Sequence, residues 1–176
     1  PLNEHLAMKN RLLLVTLLGL LPLASTSAQD PVSNSVVKIH VTNREPDFSR
    51  PWAKGSPKQV SGSGVIIDGK RILTNAHVVN YAIRILVQGH QVTERIPARV
   101  LAVSPEMDLA LLELDNDGFF SERPALELDS ALPKAKDTIS AYGYPIGGEQ
   151  LSVTEGIVSR VEFSRYNFGS MGMRIQ

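Results

Sequence analysis

The sequence predicts an all-β fold, a barrel or a sandwich, on three observations. Its apolar runs are short and rich in Val and Ile, whose branched side chains suit a pleated surface. Gly, Pro, Asn and Asp cut those runs at intervals of roughly ten residues, the spacing of short strands joined by turns. No cysteine occurs in the 176 residues, so disulfides contribute nothing and an adequate apolar core has to.

The first 28 residues stand apart from this pattern. Lys9 and Arg11 precede an apolar run from Leu12 to Ala24, and Thr26-Ser27-Ala28 offers small residues of the kind signal peptidases accept. A membrane anchor is the alternative, but 13 residues that include Gly19 and Pro22 fall short of the roughly 20 that span a bilayer. The expectation is a signal peptide over 8–28 cleaved after Ala28, with residues 1–7 as translation upstream of a start at Met8. Export and the absence of cysteine fit a bacterial periplasm or cell envelope, with no stable membrane span in the mature protein.

After that leader, strands are expected at Val36–Val41, Gly64–Ile67, Arg71–Asn75, Ile83–Val87, Ala98–Val103 and Leu109–Leu114. Asp68-Gly69 closes a tight hairpin between the second and third, because both residues tolerate positive φ. Gln88-Gly89-His90 starts the next turn. Between the first two strands, Asn43 to Gln59 carries three prolines, Trp52 and charges of both signs, which cannot continue a sheet and reads as a surface loop. Its length invites a regulatory role, and a plain insertion explains it equally well.

A polar connector covers 115–136, within which Leu126 to Ala131 reads as a strand or turn. Beyond it lie strands at Thr138–Tyr142, Leu151–Val161 and Met171–Ile175, with Gly143-Tyr144-Pro145-Ile146-Gly147-Gly148 as a turn. Three strands do not close a barrel, so residues 137–176 are expected to form a partial one beside a first barrel at 29–114.

Composition narrows the function classes. Lys plus Arg and Asp plus Glu both number 18, and residues 29–176 keep 16 bases against 17 acids. No global field draws the chain to nucleic acid or to an anionic membrane. Without cysteine a structural zinc site has little to build on, and His40 and His90 have no second ligand at metal spacing. Asp115 and Asp117 flank Asn116 but lack the later Gly and Glu of a calcium loop, so they read as a polar turn. Neither a cofactor nor a metal is expected.

The chemistry concentrates in two stretches, Thr74-Asn75-Ala76-His77-Val78-Val79 and Asp108-Leu109-Ala110-Leu111-Leu112-Glu113-Leu114. His77 falls at a strand end, where a ring can point into a cleft; alone, such a histidine is more often structural or simply exposed. Asp108 precedes a strongly apolar strand, and alone it reads more readily as a turn-initiating or capping aspartate. Paired, they make sense as a division of labour. A serine hydroxyl is a poor nucleophile at neutral pH, imidazole can take its proton, and a buried carboxylate fixes the imidazole tautomer.

The order of the surrounding motifs makes the pairing specific. Gly62-Ser63-Gly64-Val65-Ile66-Ile67 comes first, then the His77 and Asp108 stretches, then Gly143-Tyr144-Pro145, then Ser152-Val153-Thr154-Glu155-Gly156-Ile157-Val158-Ser159. In this order they closely resemble the HtrA/DegP-like family of trypsin-like serine proteases, over about Ser33 to Gln176. The resemblance implies a chymotrypsin-like double β-barrel, first barrel complete and second truncated, with His77 as general base and Asp108 as its orienter. It places the nucleophile in a GNSGG-like loop just beyond Gln176, so the present residues are expected to be inactive by themselves. It further implies a serine endopeptidase of protein quality control, acting on unfolded or misfolded polypeptides, often as a trimer and followed by PDZ domains.

Two serines within the chain compete for the nucleophile's role and fit poorly. Ser63 sits between glycines, but Ser61 breaks the five-residue elbow motif, and the order of serine, histidine, acid is foreign to that motif's fold. Ser170 lies ahead of the segment that should carry the nucleophile. The noncatalytic alternative is a pseudoprotease or peptide-binding barrel, which would have no need to keep both His77 and Asp108.

Overall fold

The computed structural model describes residues 30–168 and 171–176; the expected leader at 8–28 and Ser170 lie outside them. A one-turn helix α1 (Pro31–Ser35), capped by the Asp30 carboxylate accepting from Val32 N–H at 3.1 Å, leads into β1 (Val36–Asn43). There follow β2 (Lys58–Ile67), β3 (Arg71–Thr74), the short helix α2 (Ala76–Val79), β4 (Ala82–Gln88), β5 (Arg95–Ser104) and β6 (Leu109–Leu114). These six strands close into an antiparallel barrel in the order β1-β2-β3-β6-β5-β4.

Alternation explains the closure. Val37, Ile39 and Val41 on β1 face inward with Ile66, Ile72, Val87, Ala110 and Leu112, and Phe119 plugs the end from a 3₁₀ turn at Asp117–Phe120. Inward positions of a small barrel are filled by side chains, and β-branched residues dominate here. Gly64 is required by that filling. A Cβ there would lie 2.8 Å from both Ile39 Cδ1 and Ile72 Cγ2, closer than carbon atoms approach.

The second block does not close. β7 (Thr138–Gly143) pairs with β8 (Ser152–Ile157), and β9 (Val161–Arg165) pairs with β10 (Met171–Ile175), as two separate ribbons. Side chains of β1 and β2 help to tie it to the barrel. The Lys38 side chain, almost wholly buried on β1, donates to Gly148 O at 2.8 Å and pairs with Glu149 at 2.9 Å. From β2, Ser63 Oγ accepts the Tyr144 N–H at 2.8 Å.

Several element boundaries differ from expectation, each for a local reason. β2 begins at Lys58, not Gly64, because the main chains of Lys58, Gln59 and Val60 pair with Asn43, Thr42 and Val41 whatever their side chains are. The loop expected at 43–59 is correspondingly shorter, and it exposes Phe48 and Trp52. The Asp68-Gly69 hairpin takes three residues: Gly69 and Lys70 adopt φ of 78° and 56°, and Ile67 pairs with Arg71. The single strand expected over Leu151–Val161 is two. Buried Val158 interrupts it by bonding the connector, accepting from Lys136 N–H at 2.7 Å and donating to Asp137 O at 2.9 Å.

Candidate active site

His77 and Asp108 are brought together from the starts of two neighbouring elements, α2 and β6. Asn75 caps α2 with extended backbone (φ −83°, ψ 145°), and the single turn that follows sets His77 on the barrel rim while Ala76, Val78 and Val79 pack inward. His77 therefore stands on a helical turn, where the sequence had placed it at a strand end. Val78 owes its seat to Gly62, whose missing Cβ leaves the space that the valine methyl groups occupy.

Asp108 closes the Pro105–Asp108 turn before β6; its φ is +54° and its side chain is 1% exposed. The left-handed region is uncommon outside glycine, and aspartate is among the residues that tolerate it. This conformation turns the carboxylate back toward α2. Oδ1 accepts the His77 backbone N–H at 2.8 Å, and Oδ2 meets His77 Nδ1 at 2.7 Å. Oδ2 also accepts from Tyr166 O–H at 3.1 Å and Asn75 Nδ2 at 3.3 Å. Burial pushes the Asp108 carboxyl up, but the His77 backbone and ring bonds, the Tyr166 bond and the nearby imidazole together bring it below its usual range. An ionised carboxylate only accepts, so Nδ1 carries the proton and the other ring nitrogen is free to act as a base.

The imidazole is about one-third exposed and stands at the edge of a cleft of ≈ 790 Å³ lined by Tyr81, Ile83, Val100, Val103 and Phe168. Phe168 stacks on the ring with centroids 4.2 Å apart and planes inclined by 19°. Tyr166 packs edge-on against Phe168 at 5.9 Å; burial, followed by the bond to Asp108, raises its phenol above the ordinary value. Sequence reasoning passed over both aromatics. Their one signal was a Tyr-x-Phe pair in an otherwise polar turn, which says nothing about a partner 58 positions earlier.

The other residues singled out from sequence lie elsewhere. Ser63 is engaged with Tyr144, and among the described residues no serine hydroxyl is hydrogen-bonded to His77. His40 bonds Gln88 Oε1 at 2.8 Å, and burial lowers its pKa. His90 sits on the turn after β4. Asp117 pairs with Lys70 at 2.7 Å and Asp115 with Arg99 at 3.4 Å, both on the surface. Among the described residues no helix is long and apolar enough to cross a membrane.

Comparisons with known proteins point to one family. Residues 62–175 match the trypsin-like peptidase domain. The chain is 41% identical over 145 residues to Protease Do-like 4, mitochondrial, of Arabidopsis thaliana, covering 82% of this chain but 28% of that protein. Putative protease Do-like 6, chloroplastic, of the same plant is 40% identical over 152 residues, covering 86% of this chain and 68% of its own length. Among solved structures, the HtrA-type protease AlgW with decapeptide aligns with a TM-score of 0.64 at 25% identity, over 83% of this chain and 48% of that one. The chain thus spans about a quarter of the first relative's length and about half of that AlgW chain.

Proposed function

The chain belongs to the HtrA/DegP-like family of trypsin-like peptidases, and from that membership we propose that it serves as a serine-type endopeptidase acting on unfolded or misfolded polypeptides. The observation that carries the reading is the 2.7 Å contact between His77 Nδ1 and a buried, ionised Asp108. His77 takes the proton of a serine hydroxyl as its oxygen attacks the scissile carbonyl, then returns that proton to the leaving amine. Asp108 stays ionised throughout, holding the tautomer and stabilising the transient imidazolium. The nucleophile is proposed to follow Gln176 in a GNSGG-like loop, with a trimer as the proposed assembly.

Unfolded casein provides the test. Residues 29–176 alone should leave it intact, and a chain extended through the proposed serine loop should cleave it. In that longer chain His77→Ala should lower kcat by at least roughly 10³-fold with the far-UV circular dichroism unchanged. Undiminished turnover in His77→Ala would remove His77 as the base, and an extended chain that leaves casein intact would favour a peptide-binding barrel.

Residues 8–28 support an exported location, with a bacterial envelope as the proposed compartment. The plant relatives carry mitochondrial and chloroplastic names, which makes an organelle leader the competing reading. Amino-terminal sequencing of the mature protein separates them: a start at Gln29 is expected, and a start inside the folded region would overturn cleavage after Ala28.

A further inference from the structure

We propose that Tyr166 is a positioning residue for the His77 and Asp108 pair, donating its hydroxyl to the same carboxylate oxygen that holds the imidazole. The inference rests on the reading of that pair as base and orienter. It adds a third member from a part of the chain to which the sequence assigned no role.

The argument starts from the acceptor capacity of a carboxylate, about four sites over two oxygens. Asp108 meets four donors unevenly: the His77 main chain alone on Oδ1, and the His77 ring, Tyr166 and Asn75 crowded on Oδ2. With the group buried, water does not stand in for a missing donor. Tyr166 is therefore one of the bonds that set the carboxylate plane, and through it the ring. It also competes with the imidazole for Oδ2, because donors that crowd one oxygen share the same electron density. Phe168, two residues along the same turn, stacks on the imidazole and packs against the Tyr166 ring. The turn between β9 and β10 thus touches the carboxylate with one aromatic and the base with the other.

A purely structural tyrosine and a competing donor are distinguished by the His77 Nδ1–H proton resonance, which moves downfield as its hydrogen bond strengthens. Tyr166→Phe keeps the ring and removes the donor, so the resonance should move downfield. Global incorporation of 3-fluorotyrosine makes the phenol a better donor and should move it upfield, without any substitution that risks the fold. Opposite shifts are the expected result. A resonance unmoved by both changes, or moved the same way by both, overturns the proposal. The readout is the hydrogen bond itself and not proteolysis, so a pair that responds as expected in a protein that cleaves nothing would sink the peptidase reading alone.

Discussion

Asparagine in place of Asp108 is expected to lower kcat on an unfolded polypeptide by about four orders of magnitude in a chain that carries the proposed nucleophile, while leaving the fold intact. The backbone accepts the change, since asparagine shares aspartate's tolerance of the left-handed φ of +54° found here. The chemistry does not. An amide oriented to keep its oxygen on the His77 main-chain N–H would direct its NH₂ at Nδ1, forcing the ring proton onto the other nitrogen, where no base remains. A loss of less than ten-fold would show that the carboxylate is not the orienter. The same substitution has a second signature. Because the folded carboxyl titrates below its ordinary value of 3.8, the pair stabilises the folded state fully above that value, and the contribution is lost as pH falls through the lower folded pKa. Thermal melts taken into the acid range should show this loss in the parent protein and lack it in Asp108→Asn.

Leu112→Ala should be the most damaging truncation in the barrel, costing about 2–5 kcal/mol in urea unfolding. Leu112 has no exposed surface, and its main chain is laddered on both sides, to Ile72 on β3 and to Val100 on β5. A residue so enclosed cannot be replaced by movement of one neighbour, so the cavity persists. Leu128→Ala, which truncates a side chain that is 65% exposed, should change stability by less than roughly 0.5 kcal/mol. Near-equal losses in the two variants would mean that the barrel interior is not the stabilising core.

The barrel was legible because its inward residues are apolar and alternate, as in Val37, Ile39 and Val41. Where strands are held by main-chain pairing alone the pattern is silent, which is why the start of β2 at Lys58 and Gln59 was missed. The break at Val158 was invisible for the opposite reason. A valine flanked by Ile157 and Val161 continues a strand in any local reading, and only the connector at Lys136 and Asp137 diverts it. At the site, ordered motifs singled out His77 and Asp108, but their neighbours Asn75, Tyr166 and Phe168 are defined by long-range contact. Asp108, which alone reads as a turn-initiating or capping residue, ends a turn instead of starting one: its carbonyl accepts Ala76 N–H at 3.1 Å and its carboxylate meets the His77 ring at 2.7 Å.

That dual attachment bears on how the site behaves under thermal motion. Asp108 grips α2 through main-chain and side-chain atoms at once, binding the Ala76 amide, the His77 amide and the His77 ring. A displacement at the head of β6 therefore carries the imidazole with it, as a common-mode movement in which both partners travel and the gap between them hardly changes. Vibration of the barrel rim is rejected by the linkage, much as a differential amplifier rejects noise shared by its inputs. The 2.7 Å separation is the quantity so protected.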